Sequence, residues 1–160
     1  MLLILFGLSG AGKNFVGNIL EKEFGYHYWD ADSAILRIME QYVLNRQEFT
    51  QDMRDKITNI IINKMTELKK SYQNIAVSQA LYKIKNRDQI ALRFPDVKFI
   101  QITATPENIE DRIRQRNDWV DQEYAAKISV HFEPQQKSCA VIVNNSDASS
   151  VILQLQDFLE

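Results

Sequence analysis

Cysteine is almost missing from this chain of 160 residues: Cys139 stands alone, which excludes an intramolecular disulfide and a cysteine-built metal cage. Its setting, Cys139-Ala140-Val141-Ile142-Val143, predicts a small buried strand residue rather than a reactive thiol. Histidine is nearly as scarce. His27 and His131 are isolated, neither stands at metal-ligand spacing from another His or Cys, and both are expected to be structural. Neither sign of charge prevails: 19 Lys and Arg against 21 Asp and Glu leave a net charge of -2, so no global field draws in nucleic acid or an anionic membrane. A bound polyanion must be held by a local site. No apolar run is long enough to span a bilayer. The opening Met1-Leu2-Leu3-Ile4-Leu5-Phe6 lacks a basic lead and meets Gly7 at once, so it reads as a buried strand, and the cytoplasm is the expected location. There is no repeat, low-complexity stretch or Pro/Gly/Ser linker, and the chain is expected to form a single domain over 1–160.

Short runs rich in Val, Ile, Leu and Phe at 1–6, 74–78, 97–102 and 139–143 fit parallel strands buried on both faces, with Tyr26-His27-Tyr28-Trp29 as an aromatic fifth. Helix-compatible segments separate them at 13–24, 33–44, 51–70, 83–93, 106–116 and 121–132, and another follows at 148–159. This alternation predicts a parallel α/β sheet with helices on both faces. Thr105-Pro106-Glu107 has the form of a helix start, and Asp147 or Ser149 is placed to cap the last helix. Ile57, Ile60, Ile61 and Met65 recur at helical spacing and are expected in the core, while Lys69-Lys70 reads as a solvated helix end.

Glycine is scarce but concentrated. Of five in the chain, Gly7, Gly10 and Gly12 fall in the window Gly7-Leu8-Ser9-Gly10-Ala11-Gly12-Lys13-Asn14. A Gly-x4-Gly-Lys run after a buried strand and before a helix is the P-loop pattern. The glycines let successive N–H groups curl inward toward phosphate oxygens, and the following helix adds the positive end of its dipole. Lys13 would reach the β and γ phosphates as a mobile point charge. Gly7, Ser9, Gly10, Ala11, Gly12, Lys13, Asn14 and Phe15 are therefore the expected ATP-binding segment. The pattern calls for Ser or Thr after the lysine, where a hydroxyl ligates Mg²⁺, and Asn14 stands there instead. Its amide oxygen is a legitimate hard-metal ligand of longer reach, so either the ion is held differently or turnover is impaired.

Two carboxylates follow in Trp29-Asp30-Ala31-Asp32-Ser33. Placed beside a P-loop strand, Asp30 and Asp32 would organise magnesium or accept a proton from a hydroxyl, although Asp32 is equally placed to cap the next helix. Arg112 and Arg116, four residues apart, share a helix face, while Arg114 points elsewhere. They read either as guanidinium donors to a phosphoryl group in flight or as a solvated basic helix end. The polar stretch from Asn117 to Glu123 has the character of a closing lid. Trp29 and Trp119 are expected in core or lid packing.

Phe6-Gly-Leu-Ser-Gly-Ala-Gly-Lys13 with Asp30-Ala-Asp32 resembles the small P-loop metabolite kinases, the gluconokinase and shikimate kinase group. Ala76-Val-Ser-Gln-Ala-Leu81, Asn86-Arg87-Asp88 and Phe94-Pro-Asp-Val-Lys-Phe99 are similar to the gluconokinase stretch after the third strand, and Glu110-Asp-Arg112-Ile-Arg-Gln-Arg116 resembles the helix leading into the phosphate lid. The Asp-Ala-Asp and the segment from Lys137 to Asn145 are also similar to dephospho-coenzyme A kinase. The resemblance implies a three-layer P-loop fold with five parallel strands in the order 2-3-1-4-5, a lid near 116–126 and acceptor-side helices over 33–70. It implies ATP and Mg²⁺ as cofactors and transfer of the γ-phosphoryl group to a small polar metabolite. Under it, Asn14 and Asp30 serve the metal, Asp32 the acceptor hydroxyl, and Arg54, Ser78 and Gln79 the acceptor pocket; Arg112 stacks on adenine and Arg116 reaches the transferred phosphate. The chain departs from gluconokinases at Asn117-Asp118-Trp119, where they carry Gly-His-Phe, and at Ser33-Ala34, where they carry His-Pro. The acceptor is thereby left open, as are a nucleotide-like acceptor and a nucleotide-binding protein without turnover.

Overall fold

Period-two alternation in the first apolar run divides the interior. Leu2, Ile4 and Phe6 point into one core and Leu3 and Leu5 into another, all of them buried. The computed structural model describes residues 1–116, 120–135 and 139–160. Among these, strands β1 (Leu2–Phe6), β2 (His27–Asp30), β3 (Ile75–Ser78), β4 (Val97–Thr103) and β5 (Ala140–Val143) form a parallel sheet in the order β2-β3-β1-β4-β5. This is the expected three-layer arrangement. One face is covered by α1 (Lys13–Phe24) and α8 (Ala148–Leu159), through Val16, Leu20, Val151 and Leu155. The other is covered by α2 (Ala31–Ile38), α4 (Gln51–Leu68) and α5 (Ile84–Arg93), through Ile35, Ile61, Met65 and Ile90.

Several expectations need correction. Burial on both faces holds for β1 and β3, which are central, but β4 and β5 alternate with half-exposed positions because fewer elements cover that end of the sheet. The segment 33–44 is two helices, α2 and α3 (Glu40–Leu44), interrupted at Met39, which leaves helical geometry with φ -102° and ψ 13°. Asp30, not Asp32, caps α2: its side chain accepts from the Ser33 backbone N–H at 3.1 Å. Ile60 is exposed, since Ile57, Ile61, Met65 and Leu68 already define the buried stripe of α4 and Ile60 lies at its margin. Cys139 precedes β5 and is half-buried against the first core. Thr105 and Asp147 cap α6 (Pro106–Gln115) and α8 as expected. His27 stacks on Tyr72 with centroids 3.8 Å apart, and His131 lies 3.3 Å from Glu48.

The segment read as 121–132 is α7 (Gln122–Ser129), capped by Asp121. Val120, Tyr124, Ala125 and Ile128 pack with Val43 of α3, with Leu36 and Phe49, and with Ile109 and Ile113 of α6. Arg46 pairs with Asp121, and the Tyr124 hydroxyl donates to Gln47 O at 2.8 Å. The segment from Val120 to Ile128 is thus docked on α2, α3 and Phe49; Asn117, Asp118 and Trp119 of the expected lid lie outside the described residues.

Candidate active site

Parallel register brings the carboxyl ends of three strands level: Leu5 pairs with Ser78, and Ser78 pairs with Asp30. Ligand sites in open α/β sheets form at such ends. The chain leaves β1 through Gly7 and turns into α1 at Gly12, whose left-handed φ of 91° suits glycine. Space forbids a side chain there as well: a Cβ on Gly12 would lie 2.0 Å from Asn144 Nδ2. Asn144, at the end of β5, is buried; its Nδ2 donates to Ala11 O at 3.0 Å. Arg112 clamps the same turn, donating to Ala11 O at 3.2 Å and Asn144 O at 2.6 Å. Burial lowers the pKa of this guanidinium, and the charge of Arg116 pushes the same way. The loop is therefore rigidly framed from two sides. Among the described residues, no acceptor takes the Gly10 or Gly12 backbone N–H.

Lys13 and Asn14, the first two residues of α1, each meet one of the two carboxylates. Lys13 Nζ is buried, donates to Gly7 O at 3.1 Å and Leu8 O at 3.2 Å, and pairs with Asp32 Oδ2 at 3.2 Å. The other oxygen of Asp32 accepts from Ala80 N at 3.0 Å, just beyond β3. Asn14 Nδ2 donates to Asp30 Oδ2 at 2.7 Å, while its Oδ1 accepts from Tyr28 Oη at 3.1 Å and Ser78 Oγ at 3.3 Å. Tyr28 and Ser78 also bond each other at 2.7 Å. Burial raises the Tyr28 pKa, with Asp30, Asp32 and Glu21 adding repulsion against the Ser78 bond. The phenol stays protonated and can donate.

The donor set at Asn14 and Asp30 suits a hard divalent ion: a carboxylate, and an amide whose oxygen can turn to the same side. That turn is tolerated because the Tyr28 and Ser78 hydroxyls accept as readily as they donate. Among the described residues no cluster of three His, Cys, Asp or Glu exists to hold a metal without phosphate oxygens.

A cavity of about 310 Å³ opens from this junction. Ser9, Lys13, Asn14, Asp32 and Arg116 line it at the loop, and Arg54, Gln79, Leu81 and Tyr82 line its far side. Arg116 Nη1 donates to Ser9 Oγ at 3.4 Å. Ser78 stands behind the lining in the Asn14 network, and Gln79 turns its Oε1 to Leu81 N at 2.6 Å. Phe15 is exposed on α1 and does not line the cavity. Sequence reasoning missed Tyr28, Asn144 and Arg87. Tyr28 and Asn144 are contact-dependent, though Gly17 carries an indirect signal: a Cβ there would lie 2.2 Å from the Tyr28 ring.

A glycine turn entering a helix at a buried lysine, on a β2-β3-β1-β4-β5 sheet, defines a P-loop architecture. Its solved neighbours place it in the fold of the small P-loop kinases. A sugar kinase from Janibacter sp. HTCC2649, in an unliganded structure, superposes with TM-score 0.83 at 17% identity, covering 98% of this chain and 92% of that one. A gluconokinase from Sinorhizobium meliloti 1021 gives TM-score 0.80 at 16% identity, covering 96% and 87%. The APS kinase of Mycobacterium tuberculosis, solved with AMPPNP and APS, gives 0.71 at 15% identity, covering 99% and 96%. No family model matches the sequence, and no curated protein matches it.

Proposed function

We propose that this chain is an ATP-dependent kinase that phosphorylates a hydroxyl of a small metabolite. The observation that carries this reading is the Lys13–Asp32 pair at 3.2 Å: it joins the phosphate loop to a cavity large enough for a second substrate. The unpaired amides of Gly10 and Gly12, the α1 N-terminus and Lys13 hold the triphosphate. The acceptor oxygen bonds to the γ-phosphorus as the bond from that phosphorus to the β,γ-bridging oxygen breaks, and ADP leaves with the electron pair. The acceptor's proton passes to Asp32, which Ala80 N and Lys13 hold in position, and then to solvent. Arg116 steadies the transferred group from the Ser9 side, and Arg112 braces the loop at the adenine end. Asn14 and Asp30 would hold Mg²⁺, which when bound neutralises phosphate charge. No described helix is long and apolar enough to cross a membrane, and a cytoplasmic setting belongs to the same reading.

The test is ATP consumption over sugar acids, shikimate and nucleotide-like acceptors, with magnesium or manganese supplied. Nucleotide binding without any acceptor-stimulated consumption would reject the kinase reading and leave a nucleotide-binding protein. What favours that second reading is Asn14 in place of the pattern's Ser or Thr, since its oxygen serves a metal only after the amide turns away from the Tyr28 and Ser78 hydroxyls. Asn14→Thr decides its role. If the position ligates the metal, magnesium-dependent activity is preserved or raised; loss of activity in a folded variant assigns the amide another task.

Asp32→Asn is expected to lower kcat by about 100-fold with little change in the nucleotide Kd, the range for loss of a positioned proton acceptor. A kcat within a few fold of the parent would remove Asp32 from proton transfer.

A further inference from the structure

Gly17 lies in the interior of α1, where glycine weakens a helix and no turn calls for it. It is buried, and its missing side chain leaves room for one partner, the ring of Tyr28. Gly17 stands three residues beyond Asn14, on the same helix face. The phenol of β2 therefore lies against α1 and reaches the Asn14 amide with its hydroxyl.

Protons are short behind that amide. Tyr28 Oη meets Asn14 Oδ1 at 3.1 Å and Ser78 Oγ at 2.7 Å; Ser78 Oγ meets Asn14 Oδ1 at 3.3 Å and Asp30 Oδ1 at 3.4 Å. Two hydroxyl protons serve these four contacts, so at most two are filled at once. With the amide turned over, Nδ2 brings two further protons to the same place and all four are filled. Asp30 is what holds the amide as it stands. Its Oδ2 accepts from Asn14 Nδ2 at 2.7 Å, while Ser33 fixes the carboxylate through its N–H at 3.1 Å and its Oγ at 2.6 Å. A turned amide would set its oxygen against that carboxylate oxygen, and a divalent cation between the two converts the repulsion into shared coordination.

Resting on the kinase reading for nucleotide and metal binding but not for turnover, we infer that Tyr28 is a positioning residue for the metal. With Ser78 it receives the Asn14 amide nitrogen when a cation draws the amide oxygen toward Asp30. Asparagine thereby serves where the phosphate-loop pattern has a hydroxyl, and Tyr28, given its place by Gly17, is the compensating change.

The experiment compares, by calorimetry, the Kd of a non-hydrolysable ATP analogue in magnesium with its Kd in EDTA; the ratio reads what the metal adds at the site. Tyr28→Phe keeps the ring against Gly17 and removes only the hydroxyl, and thermal melting checks its fold. The unturned amide then loses one of two filled contacts and the turned amide two of four. The variant is therefore expected to lower the ratio by about fivefold, the effect of one net hydrogen bond. In the Asn14→Thr background, which has no amide to turn, the same substitution should move the ratio by less than about twofold. In the parent, the NMR signals of the Asn14 side-chain amide should shift when magnesium joins the nucleotide complex. A ratio that Tyr28→Phe leaves unchanged or raises, an equal loss in the Asn14→Thr background, or Asn14 signals indifferent to magnesium overturns the inference. ATP consumption over the acceptor panel separates the two claims. A ratio that responds as expected while no acceptor stimulates consumption supports the role of Tyr28 and counts against the kinase; acceptor-driven consumption with an indifferent Tyr28→Phe does the reverse.

Discussion

Lys13→Ala is expected to lower kcat/KM for ATP by about 1000-fold, equivalent to about 4 kcal/mol of transition-state stabilisation. The magnitude follows from what surrounds the ammonium. Lys13 is 6% exposed, with carbonyl oxygens of its own loop at 3.1 and 3.2 Å and the Asp32 carboxylate at 3.2 Å. A charge set in such a sheltered site acts on phosphoryl oxygens with little screening. Alanine removes it and leaves Asp32 beside the incoming triphosphate, so attraction is replaced by repulsion. The fold should survive, because the loop remains framed by Asn144 and Arg112 and Asp32 retains the Ala80 N–H. Steady-state kinetics together with thermal melting checks this. A folded variant with kcat/KM within a few fold of the parent would reject the cradle.

That cradle was legible because its chemistry is local. Glycine spacing, a preceding apolar strand and a following helix lie within one short window, and each is dictated by backbone sterics or phosphate charge. The strand order followed from the resemblance, and the registered pairing of β1 with β3 and β4 bears it out. What escaped the sequence were groups whose meaning is set by contacts distant along the chain. The sequence places Asp32 equally well as a helix cap, yet Asp30 caps α2 and Asp32 reaches Lys13 and Ala80. Only the path of the chain from β2 into α2 decides between two carboxylates two residues apart. Asn144 lies 133 residues from the carbonyl it binds, and nothing in its neighbours announces that. The Asn14 amide likewise acquires its orientation from Tyr28 and Ser78, on two other strands. Its sequence position raised the metal question but did not reveal that both hydroxyls serve its oxygen.

Arg87→Met should destabilise the protein by about 3 kcal/mol and lower Tm by about 10 °C, read from denaturant and thermal unfolding. Arg87 is 1% exposed, an unusual place for a guanidinium. It donates to Leu81 O at 2.6 Å, to Glu133 O at 2.5 Å and to Gln135 Oε1 at 3.0 Å, with its carbon 4.6 Å above the Phe6 ring. Methionine conserves much of the volume and the contact with Phe6 but none of the donors, leaving two backbone carbonyls in a buried setting without their partner. Both carbonyls adjoin the cavity wall formed by Leu81 and Tyr82, where the acceptor is proposed to bind. Leu81 adopts a left-handed φ of 42° that a leucine tolerates only where its surroundings hold it, and it forms part of the cavity wall. Glu133 ties the same corner from the other direction, accepting from Lys83 Nζ at 2.9 Å and Ile84 N at 2.8 Å. The variant should therefore raise KM for the acceptor more than KM for ATP, since the phosphate loop is framed independently by Asn144 and Arg112. Equal effects on both substrates would show that the Leu81 corner and the loop form one mechanical unit. An unchanged Tm would mean that Leu81 and Glu133 find other donors, and that this buried cation does not hold the wall in place.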